Sequence, residues 1–309
     1  MDNLTREELL ELVERQQKQL DKLLNPPPND WHSWFYSLLM IKMYKHFPAV
    51  SVEREVLLGA QPPRADFIVL KESQKIDLEL GVFRIFRKHN ILEFKSPDDE
   101  LNKAVLWKVI GYAGMYISAR KIDENSVTIT LLRGAKPIKL FQELGEAIRP
   151  DPDIRGVYHI CEWFIKMPIQ VIVTTELEGQ EYAGFRAISK QPDIEDVWEL
   201  LFEAEESKQE AKDYYRDYIE LLTKFDREIM KIVRRRAMDM DTKRYPNLME
   251  LLKPEMDACR EEGEERLGRL IVLLVSAGRN DDVIAAATDP QRRVLLYKEF
   301  KLTDDDEEE

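Results

Sequence analysis

The chain has 309 residues, 44% of them hydrophobic, and a net charge of −13. That is enough for one large domain or two smaller ones with a buried core. No apolar run approaches the roughly 20 residues of a membrane helix, so no spanning segment is expected, and the acidic balance argues against broad nonspecific attachment to nucleic acid.

Residues 1–24 read as a helix. Thr5 and Glu8 have capping-box spacing, and Leu10, Val13, Gln17, Leu20 and Leu24 recur by threes and fours. Such a seam either packs on its own domain or self-associates. The run Asn25-Pro26-Pro27-Pro28-Asn29 is a stiff spacer, and Asp30 can cap the next helix, about Trp31 to Phe47. That helix is apolar on more than one face, the pattern of a helix buried in a core. Pro48 stops it.

Strands follow at Val50–Leu58 and Arg64–Leu70, the second apolar on both faces except for Asp66. A polar, basic-ended connection leads to a strand at Ile91–Lys95. A helix is expected from Ser96-Pro97-Asp98-Asp99-Glu100 to about Ser118, because Pro and acids favour a first turn. Val127–Leu132 is a strand, Lys139–Ala147 a short helix, Gly156–Ile160 and Ile169–Glu176 strands, and Tyr182–Ile188 a further strand. From Asp193 the chain turns helical and charged. One long stretch is expected from Ile194 to about Met240, then a block over 247–277 closed by Gly278, then two short helices, with Thr288-Asp289-Pro290 starting the second.

Four segments result: an N-terminal helix and linker over 1–29, a mixed α/β domain over 30–190, a helical region over 191–303, and an acidic tail over 304–309 expected to be disordered. The tail carries six of the negative charges, leaving −7 for the rest. Self-association is expected through residues 1–24 or the helical C-terminal region. Cys161 and Cys259 lack metal-ligand spacing and read as free thiols. With no signal-peptide pattern at the N-terminus, they point to a cytoplasmic protein.

The chemistry converges on Asp66, Glu93 and Lys95. Glu93 and Lys95 share one face of their strand, Leu92 and Phe94 the other. Two carboxylates meeting at the ends of neighbouring strands repel unless a cation lies between them, and Mg²⁺ suits a pair of carboxylates because it keeps several waters. Such a metal lowers the pKa of a bound water and offsets phosphate charge, and Lys95 can orient the water or stabilise the oxyanion. This is the outline of a phosphodiesterase site. Arg84, Arg87 and Lys88 lead into the strand and are candidates for phosphate contacts. The four histidines, His32, His46, His89 and His159, show no ligand spacing and read as structural. No Gly-rich phosphate loop or nucleophile elbow occurs, and Arg234-Arg235-Arg236 fans around its helix as a solvated cluster.

Asp66 followed by Glu93-Phe94-Lys95 resembles the PD-(D/E)XK nuclease superfamily. The run Ile91 to Leu101 with Gly111-Tyr112 is similar to its bacterial recombination-promoting nuclease and transposase-like group, as is the Glu-Gly-rich stretch Arg260 to Gly278. The resemblance implies a restriction-endonuclease-like three-layer α/β/α core with a mixed central sheet. It also implies a Mg²⁺-dependent DNA endonuclease, with Mn²⁺ a possible substitute, linked to recombination or mobile elements. Ala65 stands where the superfamily motif has Pro. Many members add an acid from the first helix, but Trp31 to Phe47 has none, so Glu53 or Glu55 must replace it; Glu55 is preferred for its nearness to the Asp66 hairpin. Lys108 fits the Gln or Lys that some members carry on the crossover helix, with Tyr112 one turn on. The rival reading is a catalytically inactive nuclease-fold scaffold or nucleic-acid-binding assembly protein.

Overall fold

The computed structural model describes residues 31–57, 64–161 and 166–302. The expected helix at 1–24, its linker, the Asp30 cap and the acidic tail lie outside the described residues. The chain divides into two compact units, Met1–Arg235 and Arg236–Glu309.

The first unit is an α/β domain on a seven-stranded mixed sheet of order β1-β2-β3-β4-β7-β6-β5. Strands β1 (Val50–Leu57), β2 (Arg64–Lys71) and β3 (His89–Lys95) form an antiparallel meander. Helix α2 (Lys103–Arg120) crosses over to β4 (Val127–Arg133), which pairs parallel with β3 and with β7 (Ile169–Val173). The short strands β5 (Ile148–Pro150) and β6 (Val157–Ile160) complete the far edge antiparallel.

Both faces of the central strands are covered, as their near-continuous apolar sequences require. Helix α1 (Trp31–Met43) lies on one face, where Phe35 stacks on Phe94 at 4.7 Å and meets Phe67 at 5.5 Å. The other face packs Ile68, Ile91, Ile129 and Leu131 against Val109, Ala113 and Tyr116 of α2. The outer side of α1 is covered by α6 (Lys212–Phe225), with Trp34 on Tyr218 and Phe225. That explains why α1 is apolar on more than one face.

The same contacts carry the first unit past the change of composition at 189–192. Helices α5 (Ile194–Glu203) and α6 belong with the sheet, and the division falls at Arg235. The single stretch expected from Ile194 to Met240 is three helices, ending with α7 (Arg227–Met238). Tyr182–Ile188, expected as a strand, instead contains helix α4 (Ala183–Ala187) after α3 (Ile138–Leu144). Gly184 makes that possible: a Cβ there would come within 2.6 Å of Leu38.

In the second unit α8 (Pro246–Ser276) ends at Ala277 with Gly278 at positive φ, and α9 (Asn280–Thr288) and α10 (Pro290–Glu299) follow. Asp289 caps α10 by accepting from the N–H groups of Gln291 and Arg292. Leu270, Leu274, Ala286 and Leu296 form its small core. Among the described residues no helix is long and apolar enough to cross a membrane.

Candidate functional site

Strand register brings the acids together. Arg54 pairs with Phe67 and Val56 with Ala65, so the backbone of Glu55 stands level with Asp66. Phe67 pairs with Leu92, and one step further in that register sets Asp66 level with Glu93. Three carboxylate residues therefore form one row across β1, β2 and β3, at the carboxyl end of β3. Like charges placed side by side on a sheet are destabilising without compensation. The side chain of Glu55 lies outside the described residues. Glu53, the alternative, is drawn elsewhere: its carboxylate faces Arg120, at the far end of α2, at 3.8 Å.

The β2–β3 ladder stops at Phe67 and Leu92 because Asp66 intervenes. Its Oδ2 accepts the Phe94 N–H at 3.0 Å, taking the place of a backbone acceptor as the strands part. His32 Nε2, from the first turn of α1, lies 3.4 Å from the same oxygen. Asp66 makes no other hydrogen bond among the described residues.

Glu93 is 1% exposed. Its Oε1 is ion-paired with Lys95 Nζ at 2.8 Å and accepts a hydrogen bond from Lys108 Nζ at 3.2 Å. Its Oε2 is buried without a hydrogen-bond partner among the described residues. Leaving a charged oxygen so placed costs at least about 1–3 kcal/mol. Lys108 arrives because Asn102 caps α2, accepting the Val105 N–H at 3.1 Å, and so sets the helix phase. Burial alone would lower the Lys108 pKa, but the Glu93 carboxylate and Tyr112 outweigh it and raise it. Its ammonium also lies over the Tyr112 ring, 5.2 Å from the centroid.

The basic residues expected as phosphate contacts are placed elsewhere. Arg84, Arg87 and Lys88 precede His89, the first residue of β3, and so stand about 20 Å along the strand from Lys95. Arg84 is paired with Asp151 at 2.7 Å and Asp153 at 2.8 Å. Arg87 donates to the Asn125 carbonyl at 2.7 Å, and Lys88 is exposed. None of the three joins the acidic row.

The histidine beside Asp66 escaped sequence reasoning, which read all four histidines as structural. The signal was available: the first helix lacks an acid, and His32 is the titratable residue of its first turn. Asn90 was also missed. It is fully buried at the other end of β3 and ties β2, β3 and β4 together, accepting from the Arg87 N–H and Thr128 Oγ1 and donating to the Val69 and Arg87 carbonyls.

Among the described residues no cluster of three or more His, Cys, Asp or Glu side chains is arranged to hold a metal ion. The spare buried oxygen of Glu93, level with Asp66, nevertheless fits a hard cation, which needs only one or two carboxylates and completes its shell with water. Comparisons with protein-family models, with curated proteins and with solved structures find no match to this chain.

Proposed function

We propose that this chain is a divalent-cation-dependent phosphodiesterase that cleaves DNA internally, a member of the PD-(D/E)XK nucleases with a restriction-endonuclease-like core. The observation that carries the reading is Glu93, a buried carboxylate with one oxygen held by two lysines and the other held by nothing among the described residues. Structural ion pairs have no need of that second oxygen.

Asp66 and Glu93 would hold Mg²⁺, with Mn²⁺ as a substitute, and Glu55 stands level with them on β1. A cation bound there supplies an acidified water and offsets phosphate charge. Lys95 keeps its ammonium on Glu93, beside the cation acids, where it donates to the attacking water or to the phosphate oxygens as charge builds on them. Lys108 shares that duty from the helix side. The overall acidity of the chain is compatible with this, because the two lysines make the substrate field local.

A second reading is favoured by the same pair: Lys95 and Lys108 already neutralise Glu93, as a non-catalytic scaffold would require. Nicking of supercoiled plasmid in Mg²⁺ separates the two. The parent is expected to nick, and Glu93→Gln and Lys95→Ala to slow nicking by about 100-fold or more at a temperature where circular dichroism shows both folded. Variants that nick like the parent, or a parent inert with both Mg²⁺ and Mn²⁺, would overturn the catalytic reading.

A further inference from the structure

Asp66 and Glu93 share a division of labour between their oxygens. At Glu93, Oε1 takes both lysines and Oε2 takes nothing. At Asp66, Oδ2 takes both the Phe94 N–H and the approach of His32 Nε2, and Oδ1 makes no hydrogen bond among the described residues. In each case donors gather on one oxygen and leave the other for something else.

His32 is built to keep this arrangement. It is the second residue of α1, and its ring is set edge-on to Phe94 at 5.9 Å and 84°, with Phe67 at 6.4 Å. Phe94 is itself stacked on Phe35, one turn along the same helix. The aromatic packing that fixes α1 on the sheet therefore also aims His32 at Asp66. Its side chain remains 43% exposed, so it stands at the open edge of the site. At 3.4 Å the contact is long for a hydrogen bond, and part of its pull is that of a dipole beside a carboxylate.

Resting on the cation reading above, we infer that His32 is a positioning residue. Its Nε2–H restrains Asp66 Oδ2, fixing Oδ1 as the oxygen presented to the cation. This answers the gap left by the acid-free first helix: that helix contributes a donor that orients a ligand, where an acid would contribute a ligand. Outer partners of this kind are worth about 10–100-fold in metal affinity.

The test is calorimetric titration of the full-length chain with MnCl₂, for the parent, Asp66→Asn, His32→Ala, His32→Phe and His32→Gln, with melting curves on each. His32→Phe keeps an aromatic ring on Phe94 but has no donor. His32→Gln loses the ring but keeps an N–H at the matching position. The expected result is Mn²⁺ binding weakened about 10–100-fold in His32→Ala and His32→Phe, and restored toward the parent in His32→Gln. If His32→Phe binds Mn²⁺ as the parent does, while Asp66→Asn does not, the role of His32 is overturned and the cation site stands. A glutamine that fails to rescue overturns the donor role. A parent that binds no Mn²⁺ overturns the cation site and this inference together.

Discussion

Replacing Glu93 with glutamine keeps the size of the side chain and removes its charge, and the consequences follow from what surrounds it. Lys95 Nζ is 2.8 Å from Glu93 Oε1 on a side chain only 14% exposed, whereas Lys108, at 3.2 Å, is 44% exposed. Lys108 can turn to water, so its loss of a partner costs at most about 1 kcal/mol. Lys95 is left as a nearly buried cation, and breaking a buried pair in this way costs about 3–5 kcal/mol. The orphaned Oε2 gives no offset, because the amide places its NH₂ or its oxygen at the same buried position, which has no partner among the described residues. Glu93→Gln is therefore expected to lose about 3–5 kcal/mol. Lys95→Met combined with it should recover part of that loss, with a coupling of about 1–3 kcal/mol. Urea unfolding in metal-free buffer, followed by tryptophan fluorescence, reports on the right unit, because all five tryptophans precede Arg235. Strict additivity in the cycle would refute the claim that Lys95 and Glu93 compensate each other.

Further outcomes can be checked separately. The raised pKa of Lys108 means that its ion pair contributes stability below the ordinary lysine pKa and loses it as pH rises through the raised value. Lys108 should therefore be acetylated by acetic anhydride more slowly than exposed Lys103, and Glu93→Gln should abolish the difference; equal rates in the parent would contradict this. Burial would raise the pKa of Asp151, but His159, the Asp153 N–H and Arg84 outweigh it and bring it to about 2 from 3.8. Its stabilisation is present above the ordinary value and lost as pH falls through the lowered one. Asp151→Asn should thus cost about 2 kcal/mol at neutral pH, and urea midpoints of parent and variant should converge in that acid window. Phe94→Ala, which removes the ring shared by Phe35 and His32, should cost about 3–5 kcal/mol by the same assay. Gly156→Ala should cost about 1–3 kcal/mol, because Gly156 has φ of +84° and a Cβ there would lie 2.8 Å from the Val173 carbonyl oxygen; an unchanged midpoint would contradict it.

Much of the α/β core could be read from sequence because strand alternation is a local property. Placing Glu93 and Lys95 opposite Leu92 and Phe94 needed only the period of a strand, whereas the mixed central sheet was an expectation from the family resemblance and not from the elements alone. Local signals failed where distant residues intervened. Ser96 and Asp99 look like a helix start, but the Ser96 hydroxyl donates to Asp99 and the Asp99 N–H returns to the Ser96 carbonyl. The acid and hydroxyl close a turn, and the cap passes to Asn102. Arg84 looks like a free cation in sequence, yet Asp151, 67 residues away, consumes it. The shift to helical, charged composition at 189–192 suggested a domain edge, but Tyr218 and Phe225 supply the ring surface that Trp34 needs. The first turn of an acid-free helix marks His32 as a candidate, but its aim at Asp66 comes from the packing of α1 on Phe94, which its sequence neighbours do not show.

Anomalous diffraction from crystals of the full-length chain soaked in Mn²⁺ addresses the cation site most directly. The expected result is a single strong peak in contact with both Asp66 and Glu93, lost in the Asp66→Asn protein. A map from well-ordered crystals with no peak at those carboxylates, or with Mn²⁺ bound only elsewhere, would contradict it.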